Sequence, residues 1–249
     1  MSLILSVLLG LSSLSATDAD SAGETASYLL CHRHLNRTWF DSARTIVAGI
    51  RQRDPTNETG LCLWARVLLQ LGDDASGMRE KRDWYTKARA VADTLRRRNP
   101  GNPNGHMWWA TAQGKLGQLA GVLSSAGMVG DLKREYSNVL RLDSDYALAW
   151  YALGRLYSAL PPLLGGSLNL AEGYLRRGLA ADSNHTIIRL ELARVYLRQR
   201  RRAEARRELH TLLATGQPTN PAEFTLSDRP AALELLNSIE ATRKQPPRS

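Results

Sequence analysis

The chain of 249 residues contains little cysteine, phenylalanine or lysine: two cysteines, two phenylalanines and five lysines. Two cysteines are too few for a disulfide framework or for a zinc site closed by thiolates alone. No Gly-x-Ser-x-Gly elbow, His-Glu-x-x-His helix or Gly-Lys-Ser/Thr phosphate loop occurs. These absences favour a protein that is not an enzyme and that carries no metal or other cofactor.

Long hydrophobic runs are also lacking, except at the N-terminus. Leu3 to Leu14 is leucine-rich, too short to span a bilayer, and is followed by the small residues Ser15 and Ala16. This pattern predicts a signal peptide at residues 1–16 and export, in a bacterium to the periplasm. No basic residue precedes Arg33, as a signal peptide would usually require. The alternative is therefore a frayed first helix on a cytoplasmic protein.

Basic residues outnumber acidic ones, 33 to 24, and 28 of the 33 are arginine. They cluster at Arg96–Arg98 and between Arg198 and Arg207. Aromatic residues do not alternate with these arginines, so a base-stacking surface for nucleic acid is not expected. Solvated helix surface is the favoured interpretation, and contact with an anionic membrane surface is the next.

A five-fold recurrence organises the rest of the chain. Each segment ends in a helix-stop signature, at Asp54-Pro55, Asn99-Pro100, Asp143-Ser144, Asp182-Ser183 and Gln217-Pro218. About a dozen residues before each stop lies a small or apolar pair one turn apart: Ala43/Val47, Ala88/Ala92, Leu132/Tyr136, Ala171/Leu175 and Ala205/Leu209. Repetition on this scale predicts one helical hairpin stacked repeatedly on itself.

The segment from Tyr146 to Asn184 shows the unit most clearly. Its first helix, the A helix, presents Trp150, Leu153, Gly154 and Tyr157 on one face, and its second, the B helix, presents Ala171, Leu175 and Gly178. This pattern resembles the tetratricopeptide repeat (TPR). The resemblance implies an all-α, TPR-like α-solenoid of five helix pairs over residues 22–241.

Two further elements complete the predicted architecture. A helix at Ala231–Ala241, capped by Ser227 or Asp228 with Pro230 in its first turn, would close the solenoid. Residues 242–249 are expected to form a disordered tail. Extra residues between the A and B helices, at Asp73–Arg82, Leu116–Gly130 and Ala159–Ser167, are expected to emerge on one edge as loops and to offer a homo-oligomer contact. Gly165 and Gly166 would shape a turn, with Ser167 as the N-cap of the following helix.

A narrower resemblance rests on an ordered set of motifs. They are Gly105-His106-Met107-Trp108-Trp109, Gly114-Lys115-Leu116-Gly117, Leu153-Gly154-Arg155-Leu156-Tyr157 and the Leu160–Ser167 segment. From about Trp64 onwards the chain resembles the T-component family of TRAP transporters and the related regulators of microtubule dynamics. The transporter resemblance implies a periplasmic, non-enzymatic protein that associates with a solute-binding partner.

The outward residues of the A helices are expected to line a basic concave groove. The predicted partner-binding residues are Tyr28, Arg66, Lys115, Tyr151, Arg155, Arg194 and Arg198. Arginines beside aromatic rings suit a protein or peptide partner of acidic character.

Three other interpretations stay open. The apolar insert, through Val122, Leu123 and Met128, could instead line a pocket for a hydrophobic ligand or solute. The second interpretation is that the protein is an intracellular scaffold. Cys31 and Cys62 either form a disulfide or remain packed thiols, and a metal site at Cys31–His34 is disfavoured because His32 and His34 lie on different helix faces.

Overall fold

The computed structural model describes residues 16–36, 38–121 and 126–243. The part of the predicted signal peptide before Ala16, together with Val122, Leu123 and residues 244–249, lies outside the described residues. Within them the chain is helical and contains no strand. No helix in this part of the chain combines the length and the hydrophobicity needed to cross a membrane.

The chain divides into two compact units, residues 1–142 and 143–249. The helices of the first are α1 (Ala16–Cys31), α2 (Thr38–Arg53), α3 (Glu58–Asp74), α4 (Met78–Arg98), α5 (Pro103–Ala120) and α6 (Val129–Leu142). Those of the second are α7 (Ala147–Ala159), α8 (Leu168–Ala181), α9 (Thr186–Arg198), α10 (Arg202–Leu213) and α11 (Arg229–Arg243). Consecutive helices pack as five A/B pairs, and α11 packs on α10. The predicted all-α, TPR-like architecture with a terminal capping helix is confirmed.

The small and apolar pairs read from the sequence all lie on B helices and are all buried. None of the ten side chains is more than 7% exposed. In the second unit, a Cβ placed on Gly154 would lie 2.6 Å from Cγ of Leu175, so α7 and α8 approach closely at this glycine. Tyr174 of α8 stacks between Trp150 and Tyr157 of α7, with ring centroids 5.9 and 5.4 Å apart. The predicted faces of this repeat are therefore the ones that pack.

Four of the five stop signatures form the same turn. The side-chain oxygens of Asp54, Asn99, Asp143 and Asp182 each accept a hydrogen bond, 2.8–3.0 Å long, from the backbone N–H two residues later. This Asx turn provides a hydrogen-bond acceptor for a backbone N–H where the B helix ends, just before the next A helix begins. The fifth signature differs because α10 already ends at Leu213, before Gln217.

Three predicted boundaries are wrong. The extra residues of the second repeat are mostly helical: α3 and α4 span 17 and 21 residues, and only Ala75–Gly77 connects them. The final helix starts earlier than predicted, since Asn220 caps a turn at Pro221–Glu223 that runs through a π-helical segment, Phe224–Asp228, into α11. Asp228 is consequently a buried side chain rather than a cap. Residues 242 and 243, expected in the tail, belong to α11.

The Leu160–Ser167 connection folds as predicted. Gly165 adopts a left-handed conformation (φ 82°) after a 3-10 turn at Pro162–Leu164. The Ser167 hydroxyl oxygen accepts a hydrogen bond of 3.3 Å from the Leu170 N–H, which makes it the N-cap of α8. A Cβ on Gly166 would lie 1.8 Å from the Leu160 carbonyl oxygen, so only glycine fits there.

Candidate partner-binding surfaces

Three of the predicted arginines lie on the neighbouring A helices α7 and α9 of the second unit. Arg155 projects from α7, and Arg194 and Arg198 project from α9 one turn apart; all three are exposed. Arg198 donates a hydrogen bond to the Ser158 carbonyl oxygen of α7, which ties the two helices together. The structure thus brings this basic subset together on one unit.

Buried polar groups support these arginines from below. The Ser158 hydroxyl donates to Oε1 of Glu191 over 2.9 Å, and Arg194 contacts Oε2 of the same carboxylate at 3.4 Å. Arg155 lies 3.4 Å from the Tyr151 hydroxyl oxygen. Burial is the main cause that raises the pKa of Tyr151, so the phenol stays neutral at physiological pH. Tyr151 and Glu191 thus contact Arg155 and Arg194, and Arg194 partly compensates the charge of Glu191.

In the first unit, Arg66 of α3 lies between α1 and α5. Its guanidinium nitrogens lie 3.5 Å from the Ser27 hydroxyl and 3.8 Å from the Cys31 sulfur, and its Cζ lies 5.8 Å from the Trp108 ring centroid. Tyr28 of α1 is 52% exposed and stacks on His32, with ring centroids 4.1 Å apart. Arg66 and aromatic side chains of the A helices α1, α3 and α5 therefore lie on this unit, and their part in binding a partner remains a prediction.

Lys115 is engaged inside the first unit. Its ammonium lies 2.5 Å from Oδ1 of Asp73 and 5.8 Å from the Tyr85 ring centroid. The Tyr85 hydroxyl donates to the same carboxylate oxygen over 2.7 Å, and burial is the main cause that raises the Tyr85 pKa. An acidic partner would have to compete with Asp73 for this lysine.

The two cysteines are free thiols. The Trp108 indole N–H lies 3.2 Å from the Cys62 sulfur. Burial raises the pKa of the Cys62 thiol, while Arg66 and the Trp108 hydrogen bond oppose this effect. A raised pKa lowers the fraction of reactive thiolate, which suits a packed thiol. Within the described residues, no three His, Cys, Asp or Glu side chains cluster as metal ligands would.

The predicted ligand-lining insert is described only in part. Met128 ends a 3-10 turn, Ala126–Met128, and is half-buried, whereas Val122 and Leu123 lie outside the described residues. The hydrophobic-ligand interpretation therefore remains a prediction.

A buried network explains the Gly105–Trp109 motif, which the sequence marked without assigning it a role. His106 Nδ1 lies 2.6 Å from Oε2 of Glu135, and its Nε2 lies 3.0 Å from the Pro100 carbonyl oxygen. Arg96 donates to Glu135 Oε1 over 3.0 Å. Both imidazole nitrogens therefore lie within hydrogen-bond distance of oxygen atoms. The motif thus joins α4, α5 and α6, and its spacing alone could not reveal Glu135 as the partner.

Comparisons with known proteins agree with this helical-repeat architecture. A family model described as Regulator of microtubule dynamics protein 1-3 matches residues 29–160, more than half of the chain. The chain belongs to this family. A tetratricopeptide-repeat model matches residues 164–223. The family match begins before Trp64, where the resemblance was expected to start, and it ends before Gly165 and Gly166. No curated protein matches the chain.

Solved structures of TPR proteins share the fold. A thermophilic TPR protein, TTC0263 of Thermus thermophilus, has a TM-score of 0.63 at 22% identity and covers 84% of this chain and 99% of its own. Yeast Tom70 has a TM-score of 0.52 at 12% identity, with 97% of this chain and 47% of its own covered. The APC/C hetero-tetramer Cut9-Hcn1 gives 0.50 at 15% identity, covering 91% and 44%. The chain is therefore a TPR protein with the α-solenoid fold that these structures share.

Proposed function

We propose that the protein is a non-enzymatic scaffold whose second unit binds an acidic peptide segment of a partner. The exposed trio Arg155, Arg194 and Arg198 on the adjacent helices α7 and α9 carries the proposal. A guanidinium offers five N–H donors in a planar fork that matches a carboxylate. Arg194 forms an ion pair with Glu191 and Arg198 a hydrogen bond with the Ser158 carbonyl, and each guanidinium has further N–H donors that a ligand could use.

A charge-reversal experiment tests this proposal. A fluorescent oligo-glutamate peptide is titrated with the protein, and binding is followed by anisotropy. Replacing Arg155→Glu and Arg194→Glu together should weaken binding at least about a hundredfold, because exchanging each cation for an anion costs roughly 1.4 kcal/mol or more. Circular dichroism should show unchanged helicity, since both side chains are exposed.

The matched control reverses two exposed arginines elsewhere, Arg141→Glu and Arg207→Glu, with the same change in net charge. It should weaken binding only slightly. Equal losses in the two double variants would mean that net charge, and not the α7–α9 face, governs capture. Unchanged binding in the first variant would exclude this face as the site.

Export remains part of the proposal. The Leu3–Leu14 run followed by Ser15 and Ala16 supports it. N-terminal sequencing of the protein from its native cell should find a mature terminus near residue 16. An intact Met1 would instead favour the intracellular scaffold.

The family match favours one second candidate, a scaffold that acts on microtubules, since the family is described as regulating their dynamics. Co-sedimentation with polymerised tubulin tests it directly. If the wild-type protein pellets with microtubules and the Arg155→Glu, Arg194→Glu double variant does not, the acidic segment would belong to the microtubule. Absence of wild-type pelleting at low salt would exclude this candidate.

A further inference from the structure

One end of the second unit gathers the connection between α7 and α8 and the turn between α9 and α10. Gln199 donates a hydrogen bond of 3.2 Å to the Asn169 side chain, and Arg201 donates one of 2.6 Å to Oε2 of Glu172. Both contacts join the C-terminal end of α9 to the first turns of α8. The two connections therefore lie side by side, and we call their exposed residues Leu163, Leu170, Arg200 and Arg202 the basic–apolar edge.

The turn after α9 has an unusual backbone. Arg200 has φ 62°, the only positive φ among the non-glycine residues of the described chain. Its N–H bonds to the Leu197 carbonyl at 3.0 Å, and the Arg201 N–H bonds to the Tyr196 carbonyl at 2.9 Å, which is the hydrogen-bond pattern of a Schellman cap. Glycine usually occupies this left-handed position because a side chain there is strained. The neighbouring connection does use glycine, at Gly165 with φ 82°.

The charge on this edge is only partly compensated. Arg201 pairs with both nearby carboxylates, Glu172 at 2.6 Å and Glu204 at 3.0 Å. Arg200 and Arg202 are exposed and form no ion pair with any residue that the structure describes. Arg200 thus occupies a strained backbone position where its charge faces solvent. Strained residues of this kind are concentrated at functional sites.

The α7–α8 side of this edge is apolar. Leu163 is 98% exposed, and Leu170 in the first turn of α8 is 49% exposed. The loop that carries Leu163 is held by hydrogen bonds of 3.0 Å from Gly166 N–H to the Pro161 carbonyl and from Ser167 N–H to the Tyr157 carbonyl. A rigid turn therefore presents a leucine to solvent instead of burying it.

We propose that the basic–apolar edge docks on the surface of an anionic phospholipid bilayer. Arginines attract the negative headgroups, and an exposed leucine on the same edge gains free energy by entering the apolar boundary of the bilayer. A nucleic acid would use the cations but not the leucine, and no aromatic side chain stands on the edge to stack with bases. An acidic protein segment would likewise leave Leu163 in water. The edge uses none of the three arginines, Arg155, Arg194 and Arg198, that are proposed to bind the peptide.

Vesicle co-sedimentation tests the proposal on the full chain. Wild-type protein should bind vesicles of phosphatidylcholine with about a quarter phosphatidylglycerol, should release them at high salt, and should ignore pure phosphatidylcholine. Leu163→Ser should lower the partition coefficient about tenfold, since a leucine loses its burial. Arg200→Gly should lower it about fivefold, which corresponds to roughly 1 kcal/mol per arginine at an anionic surface.

Arg200→Gly separates binding from stability. Because glycine relieves the left-handed strain, this variant should unfold about 2–4 °C above wild type even though it binds vesicles less well. Arg141→Gln, which removes one exposed charge from the first unit, is the matched control and should bind almost as wild type does. Wild-type binding to neither vesicle, or equal binding by Arg200→Gly and wild type, overturns the proposal. Loss of oligo-glutamate binding in Arg200→Gly with vesicle binding intact would assign the edge to an acidic protein and also overturn it.

Discussion

At the scale of single residues, two glycines of the second unit have opposite roles. A Cβ on Gly166 would lie 1.8 Å from a backbone oxygen, while one on Gly173, inside α8, would meet nothing within 4 Å. We expect Gly166→Ala to lower the free energy of unfolding by about 2–3 kcal/mol, because the loop backbone must move. Gly173→Ala should raise it by about 0.5–1 kcal/mol through helix propensity. Urea denaturation measures both, and similar effects of the two variants would contradict the described loop packing.

At this scale, the sequence predicts a contact between two side chains only where both positions belong to the repeat pattern. Leu175 and Gly154 belong to the repeat pattern, so their contact was foreseen. Lys115 was assigned to the groove because its helical register was clear, but its partner Asp73 lies 42 residues earlier, and no periodicity indicates such a pair. Glu135 is 29 residues from His106 and escaped notice for the same reason.

At the scale of elements, the helix that ends the described chain differs most from expectation. Ser227-Asp228-Arg229-Pro230 has the composition of a helix start, yet the helical segment already begins at Pro221. Proline inside an α-helix lacks an N–H and clashes with the carbonyl four residues earlier. The π-helical turn at Phe224–Asp228, where the Arg229 N–H bonds to the Phe224 carbonyl, widens the helix just before Pro230. Local sequence could not distinguish this accommodation from a new start.

That π-helical turn carries a buried acid and yields a pH prediction. Asp228 is 1% exposed and accepts a 2.7 Å hydrogen bond from the Thr186 hydroxyl. Burial chiefly, with some repulsion from Glu223, raises its pKa from 3.8 to about 6, although the Thr186 hydrogen bond and Arg194 oppose the shift. A folded pKa above the unfolded one means that the folded state binds more protons between these values. The contribution of Asp228 to the free energy of unfolding is therefore fully present below about pH 4 and is lost as the pH rises through about 6.

Asp228→Asn should remove this penalty, because an amide resembles the protonated acid. Relative to wild type, the variant should gain about 2–3 kcal/mol of unfolding free energy at pH 7 and almost nothing at pH 4. Urea titrations at the two pH values measure the difference. A variant that is less stable than wild type at pH 7 would mean that the ionised carboxylate is stabilised by its surroundings.

At the scale of the whole molecule, the boundary of the folding units and the boundary of the family match differ. The family match stops at residue 160, between α7 and α8, whereas the compact units divide after Leu142. Leu175 of α8 packs on Gly154 of α7, and a Cβ on Gly178 would lie 3.3 Å from Trp150 Cβ. A fragment that begins at residue 161 would expose this apolar face of α8.

We therefore expect residues 143–249 to fold alone, with helical circular dichroism and a cooperative urea transition. Residues 161–249 should show a lower helical signal and a broad transition, because α8 lacks its partner. Equal cooperativity in the two fragments would show that the α7–α8 pair is not needed for the fold of this unit.

The unequal helix lengths have a consequence for how such a chain can change. A helix of 21 residues at α4 and one of 12 at α10 cannot exchange places without leaving apolar surface unmatched. Arrays of identical repeats can grow or shrink by duplication or deletion of one repeat. In this protein the same change would place hairpins with helices of different length next to each other. We therefore expect variation among the relatives of this protein to occur by substitution within repeats rather than by gain or loss of them.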